Sequence, residues 1–585
     1  MSSSNQKRLG CVAIVLSLIG LLTISACIGS AAELRDIPRE RTLIIGLSGR
    51  VATTDLWNPF TPGTPMSNGF QQVLIESLFY LNYETGQLMP WLATSYEYNE
   101  DCTEVTIKIR PGVEWSDGVP FTSRDVVFTL DMLKENAPKL LFSSDVAQYV
   151  ASAEALDDET VFIKLNQRSP MFVVDMFGVR EYNALPIVPE HIWKDVDPLT
   201  FKNFDPEKGW PVFTGPYELV RAAQSEFAYD RRADWWAAET GFASLPAAER
   251  VLFIWPGAEE TVAAALIANN LDIFDDMSRG TFELVRSKNP NITSWYDELP
   301  YAWTDPCPRY FAVAHEEPWD DPEMRWALNY GLNKDQIINI AYDGTSVKTA
   351  TLFPNYTALN AHVERNQDLL DEYAVMDYNP AKTVEIFESK GYTQKRDGYW
   401  YGPDGKRLQI TIASPDWIEV KTILQVVAEQ LDQLGIDTVL RPMEGGAWCD
   451  LVWRGQAEAW AVWSCGSVMH PYRTFDVYHS RWVMPKGEIQ DWKNDVRWCN
   501  AEFDAVVDEM KQMQPDDPAI EPLFRQALEI WLEELPVIPL AQARKLLPMN
   551  TTYWTNWPTA ENNYIQPPYW WMSAIHLIRS VQPTK

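Results

Sequence analysis

Three segments that would announce an enzyme are missing from the 585 residues: a GxxxxGK[ST] phosphate loop, an HExxH zinc helix and a GxSxG nucleophile elbow. Gly402-Pro403-Asp404-Gly405-Lys406 is instead a hairpin turn. The six histidines, His191, His315, His362, His470, His479 and His576, stand too far apart to suggest a metal site, and no CxxC pair occurs. No metal and no cofactor is therefore expected. Basic charge is scarce too, with 49 Lys plus Arg against 81 Asp plus Glu, a net charge of -32, and no basic run. Nucleic acid is thus excluded as an expected partner, and acidity spread along the chain reads as a solvated surface. Past Leu34 no apolar run approaches the roughly 20 residues that span a bilayer.

The one long apolar run lies at the start. Lys7 and Arg8 precede the uncharged stretch Cys11 to Ile24, in the order of a secretion signal. Ile24-Ser25-Ala26-Cys27 resembles a bacterial lipobox, which implies a signal peptide over 1–26, lipidation of Cys27 and a small tether over 27–33. Ordinary cleavage near Ala31 or Ala32 and an uncleaved anchor are the alternatives; all place the protein outside the cytoplasm. Beyond the leader stand Cys102, Cys307, Cys449, Cys465 and Cys499. One pairing among Cys449, Cys465 and Cys499 is open in an oxidising compartment, and buried, unpaired Cys is the other reading.

A chain of this length exceeds one ordinary core, so two or three lobes are expected. Periodicity predicts strands over Thr42 to Leu47, Glu104 to Ile109, Leu408 to Ile412 and Ile436 to Leu440. It predicts helices over Gly69 to Leu81, Ser123 to Glu135, Thr261 to Asn269, Pro322 to Asn333 and Ile423 to Leu434. The mixture indicates an α/β protein, and the lack of repeats or low-complexity linkers suggests lobes that exchange the chain by several crossings.

Ile109 to Leu130, IRPGVEWSDGVPFTSRDVVFTL, resembles the signature of the oligopeptide-binding type, family 5, of extracellular solute-binding proteins, the receptors of ABC importers. PWLA at Pro90 to Ala93, IVPEHIW at Ile187 to Trp193, TGPY at Thr214 to Tyr217, AALIANNLDI at Ala264 to Ile273, MRWALNYGLNKDQI at Met324 to Ile337 and LPVIPL at Leu535 to Leu540 are similar to further family segments. The resemblance implies a type II periplasmic-binding-protein-like α/β fold of two discontinuous lobes with mixed sheets and an inserted subdomain, closing over a ligand cleft. The expected division is 34–60 with 185–300 and 530–585 as lobe I, 61–184 as its inserted subdomain, and 301–529 as lobe II. A monomer that performs no covalent chemistry and docks on membrane permease subunits is implied. Thr122 with Asp125 resembles a capping box, and TGPY reads as a turn leading into a strand.

The ligand is the harder question. Peptide-binding members share a Trp followed shortly by an acid that pairs with the peptide α-ammonium. Here Ser464, Cys465 and Gly466 follow Trp463 where that acid would stand, and no carboxylate occurs between Trp463 and Asp476. A buried ammonium without an anion is costly, which argues against peptide N-termini. Pyranose rings pack on flat aromatics and seek amide or carboxylate edges, and the chain has 26 Trp. HPYRTFDVYHSRW (470–482) and YWTNWPTAENNY (553–564) resemble the family branch that binds β-linked oligosaccharides. The expected contacts are Trp57, Asn58, Trp460, Trp463, Trp554, Asn556, Trp557 and Glu561, with Tyr310 and His470 added. Tyr553 to Tyr564 is expected to wall the cleft, and Pro567 to Trp571 to pack against a lobe. Trp235, Trp236 and Trp531 read as structural. An oligopeptide is the alternative ligand; a secreted glycoside hydrolase and a free carbohydrate-binding module are the remaining classes.

Overall fold

In the computed structural model, TLIIGL forms a strand over Thr42–Gly46 that pairs in parallel with Arg250–Ile254. Glu226–Arg231 and Tyr217–Ala223 complete a four-stranded sheet by antiparallel pairing, the last strand starting at the final residue of TGPY. Arg250 and Asp230 form an ion pair of 2.6 Å inside this sheet, both side chains nearly inaccessible. The structure describes residues 34–585 except 48, 52, 62–68, 70, 84, 180–183, 491, 566–567 and 569–573. The leader, Cys27 and the tether lie outside them, as does most of Pro567 to Trp571. Ile37–Lys585 is one compact unit; of the other, Met1–Asp36, only the last three residues are described.

A second sheet is wholly antiparallel, in the order Ala93–Tyr98, Glu104–Ile109, Thr160–Leu165, Val150–Asp157. Helix Ser123–Glu135 packs on it, and its start is the expected capping box: Asp125 Oδ2 accepts from the Thr122 N–H at 2.8 Å while the Thr122 side chain caps the helix. The predicted helix over Gly69 to Leu81 does not form. The segment makes a turn and then the strand Phe79–Asn82, because neighbouring loops take its carbonyls: Gly215 N–H donates to Leu74 O and Leu92 N–H to Ser77 O. Within it, buried Glu76 accepts the indole N–H groups of Trp91 (2.9 Å) and Trp236 (2.7 Å). Trp235 and Trp236 are structural, as expected.

The third sheet has six strands in the order Val347–Lys348, Ile538–Gln542, Arg309–Val313, Ala459–Trp463, Gln409–Pro415, Asp437–Met443. Helices Ile418–Gln433 and Ile520–Glu534 share its core, with Trp531 buried as expected. The expected boundary at 530 is corrected here. Ile538–Gln542 is buried at every position and pairs with Arg309–Val313, so the chain leaves this lobe only where Arg544–Lys545 runs beside Trp303–Thr304. An apolar run with no polar alternation is what a strand covered on both faces requires. Those two paired segments are the strand crossing between the sheets. Among the described residues, no helix is long and apolar enough to cross a membrane.

Candidate functional site

Gln409–Pro415, Asp437–Met443 and Ala459–Trp463 run parallel, so their carboxyl ends share one edge of the six-stranded sheet. That edge is where open α/β sheets hold ligands. The loop after Trp463 leaves it with its first residues fastened down: Ser464 N–H donates to Pro308 O, and Cys465 is disulfide-bonded to Cys307. The disulfide is thus not among the pairings of Cys449, Cys465 and Cys499 that the sequence left open. Arg309 lies opposite Trp463 in the antiparallel ladder, and continuing that register by two residues puts Cys307 opposite Cys465. Cys102, Cys449 and Cys499 remain thiols.

Gly466 then approaches Thr474 so closely that a Cβ would stand 2.6 Å from its Oγ1 and 2.7 Å from its Cα. Ser467 and Thr474 lock together, Ser467 N–H donating to Thr474 Oγ1 (2.9 Å) and Thr474 N–H to Ser467 Oγ (3.0 Å). No side chain fits at Gly466 without moving this turn. Asp175, on the short helix Phe172–Phe177 across a small cavity, faces the loop. It accepts the Tyr472 hydroxyl at 2.6 Å and pairs with Arg473 at 3.0 Å. Leu81 and Met171 line the cavity on Asp175's side, and Gly466 to His470 with Arg473 on the other. His470 is buried; its Nδ1 accepts from Tyr472 N–H at 3.2 Å, and burial pulls its pKa down to about 4, so it is neutral at pH 7.

Trp463 is partly exposed at the same sheet edge and packs 5.1 Å from Trp417, the planes inclined by 36°. Two residues further on, Glu419 accepts from Arg309 Nε (2.6 Å), Lys545 Nζ (3.2 Å) and the Tyr342 hydroxyl (2.7 Å). Lys545 also meets Asp276 at 3.0 Å, so a charge network ties the sheet edge through the strand crossing to the other side of the molecule. Arg309 reaches Asp305 as well (3.2 Å).

The other expected contacts are placed elsewhere. Trp57 is 2 % exposed and wedged between Phe227 and Tyr229 in the core of the first sheet, because the loop after the first strand folds back over that sheet. Asn58 is 0 % exposed and fully used, Nδ2 donating to Pro198 O and Phe201 O and Oδ1 accepting from Phe60 N–H. Trp554 and Trp557 lie in the same core; Trp557 Nε1 donates to Asn550 O and Trp554 O. Asn556, in the left-handed region at φ 59°, ties Ser580 O to Asn562, and Glu561 is exposed. These are corrections to Tyr553 to Tyr564 as a cleft wall: its rings fill gaps under the C-terminal strand Gln582–Pro583, which pairs with Trp554–Thr555. Tyr310 and Trp460 are buried against Asp495, whose Oδ2 accepts the Tyr310 hydroxyl (2.8 Å) and the Trp460 N–H (2.7 Å). Of the ten expected residues, Trp463 and His470 alone reach the sheet-edge loop and cavity. Sequence reasoning missed Asp175, Arg473, Thr474 and Trp417, whose importance rests on contacts across long separations.

Burial pushes the Asp495 carboxyl up to about 6, against the lowering effect of its two donors. A carboxyl raised on folding contributes stability that is complete below about pH 4 and lost as pH rises through about 6. The wild-type chain is expected to lose on the order of 2 kcal/mol between pH 4 and pH 7 from this group, at about 1.4 kcal/mol per unit. Urea denaturation across that range checks it; an Asp495→Asn variant with the same slope would exclude Asp495 as the source.

The sequence profile of bacterial extracellular solute-binding proteins, family 5 Middle, matches residues 87–483, more than half of the chain. The glutathione-binding protein GsiB of Escherichia coli K12 is 24% identical over 515 residues, covering 86% of this chain and 88% of that protein. Among solved structures, the periplasmic oligopeptide-binding protein of a Thermotoga maritima oligopeptide ABC transporter superposes with TM-score 0.82 at 24% identity, over 93% of this chain and 100% of that one. Its mannohexaose-bound form gives TM-score 0.77 at 24% identity, over 94% and 100%. The oligopeptide-binding protein AppA of Bacillus subtilis, in complex with a nonapeptide, gives 0.70 at 20% identity, over 93% and 99%. The fold is therefore the type II periplasmic-binding-protein fold. With the profile match laid over Trp303–Thr304 and the loop after Trp463, the chain belongs to family 5 of the bacterial extracellular solute-binding proteins, the receptors of ABC importers rather than enzymes.

Proposed function

We propose that this receptor captures an oligosaccharide outside the cytoplasm and presents it to its permease by lobe closure. One observation carries the reading: the loop after Trp463 holds no carboxylate before Asp476, and Gly466 leaves no room for one. A peptide α-ammonium buried there would need an anion, and the facing Asp175 is already matched by Arg473 and Tyr472. A neutral, polyhydroxylated ligand makes no such demand. The mannohexaose complex of the Thermotoga maritima protein, of the same fold, is consistent with this choice. The names of GsiB and AppA keep an oligopeptide as the competing reading. Cleavage before Cys27 and its lipidation would tether a monomeric receptor beside the permease, leaving 27–33 as the spacer.

The test is a thermal-shift and tryptophan-fluorescence screen of the chain from residue 34 onward. Mannohexaose and cellohexaose form one panel; glutathione and di- to tetrapeptides form the other. At a ligand concentration of 100 Kd, binding adds about 2.7 kcal/mol, a rise of about 2 °C in Tm for a chain of this length. A response to the sugars is expected. Stabilisation by peptides alone would overturn the reading.

A further inference from the structure

The ligand-facing edge of the six-stranded sheet carries an aromatic pair of which only one member stands out in the sequence. Trp417 precedes helix Ile418–Gln433, and Trp463 ends the strand Ala459–Trp463; 46 positions separate them, yet the rings are 5.1 Å apart. Both are partly exposed, and among the described residues neither indole N–H has a protein acceptor. Most other indoles among the described residues are buried.

The pair is held in place from behind. Trp448 meets Trp417 at 5.1 Å and 65°, edge to face, and donates its own N–H to Ala413 O. Trp417 lies so close over Gly445 that a Cβ there would stand 2.6 Å from its Nε1. Gly445 N–H is in turn held by Asp416 Oδ1 at 3.1 Å. Beside the rings, Ile418 is 83 % exposed, widening the apolar surface. A ring this well seated and still partly exposed, with no protein acceptor for its N–H among the described residues, is preorganised for contact rather than filling a core.

The surrounding charge says what kind of contact. Glu419 is taken by Arg309, Lys545 and Tyr342; Glu444 caps the helix Gly445–Trp453 through Ala447 N–H; Arg309 lies 5.8 Å from the Trp463 ring centroid. A cationic ligand over these rings would meet the Arg309 guanidinium, while the nearby carboxylates of Asp416 and Glu444 already accept the Gly445 and Ala447 N–H groups. The C–H face of a pyranose ring meets neither problem, and its hydroxyls can accept from the two indole N–H groups.

We infer that Trp417 and Trp463 form a stacking platform for one sugar ring of a neutral oligosaccharide, with Trp417 as a ligand-contacting residue. This rests on the oligosaccharide reading above and adds to it a place and a residue. The test titrates mannohexaose and cellohexaose into wild-type, Trp417→Ala and Trp417→Phe chains by calorimetry. In parallel, N-bromosuccinimide oxidation of the wild-type chain is mapped by peptide mass spectrometry with and without the sugar. The expected result is a rise in Kd of tenfold or more for Trp417→Ala, recovered in large part by Trp417→Phe, with sugar-dependent protection of Trp417. Wild-type binding with Trp417→Ala within twofold of it, or oxidation of Trp417 unchanged by bound sugar, overturns the platform and leaves the oligosaccharide reading standing. Should Trp417→Ala fail to fold, Trp417→Phe and the protection experiment decide. A wild-type chain that binds neither sugar removes the reading and the platform together.

Discussion

Trp554→Ala is expected to destabilise the chain by about 3–5 kcal/mol, the range for emptying a buried aromatic site. The indole is 0 % exposed, in a core shared with Trp57, Trp557 and the buried face of helix Ala574–Ser580. Truncation leaves a cavity that this core can close only by moving the pairing of Trp554–Thr555 with Gln582–Pro583. Urea and thermal unfolding should both register the loss, and the fraction that stays folded should keep its ligand affinity. Unchanged stability with lost ligand binding would mean that the ring faces a cleft after all. Trp417→Ala is the contrasting case, with the larger effect on binding.

Glu419→Gln is expected to cost on the order of 2–4 kcal/mol at pH 7. Removing one member of a buried ion network leaves Arg309 with Asp305 alone and Lys545 with Asp276 alone, and Arg309 is only 4 % exposed at the side chain. Burial alone would raise the Glu419 carboxyl, but Arg309 and Lys545 outweigh it and hold the group far below the ordinary carboxylate range. A carboxyl depressed on folding contributes stability that is present above its unfolded value, near pH 4, and lost as pH falls below it. The wild-type chain should therefore lose stability more steeply than the variant below pH 4, and the gap between them should narrow toward pH 2. Guanidinium denaturation at pH 7, 4 and 3 gives the comparison. Parallel curves at all three would rule out the network as an acid-sensitive brace. Since Lys545 on the strand crossing also holds Asp276, the same variant should alter the resistance of the crossing to bending, readable as a change in radius of gyration by small-angle scattering.

Much of the fold was legible because its signals are local. Glu104–Ile109 and Ser123–Glu135 were expected at the observed bounds, since alternation and a capping box are read within a dozen residues. The Gly69 to Leu81 helix was wrongly expected for the complementary reason. Its apolar spacing suits a helix, but its carbonyls are claimed by Gly215 and Leu92, distant in sequence. The lobe boundary moved for a similar cause: the apolar run at Ile538–Gln542 announces burial without saying in which sheet.

The site was far less legible. Trp57 and Trp554 stand beside Asn, Pro and Thr, a setting that suggests exposure, yet both are core, because loops folding over a sheet bury rings that have no periodicity of their own. Asn58 looked like a free amide and is spent on three backbone groups. The missing acid after Trp463 was visible from the sequence, since an absence of carboxylates over a short stretch needs no structure to see.

By itself the sequence determined the family, the α/β class, the absence of catalytic and nucleic-acid-binding motifs, and the lack of an anion in the loop after Trp463. Each is carried by residue order or by charge, which a linear chain displays. Tertiary structure decided the rest: that Cys465 meets Cys307, that Gly466 is sealed by Thr474, that Asp175 is matched from across the cavity, and that Trp417 joins Trp463 at the sheet edge. Those are properties of register and of which faces oppose one another. A one-residue slip in a ladder reverses the face a side chain presents, so no reading of single segments could supply them.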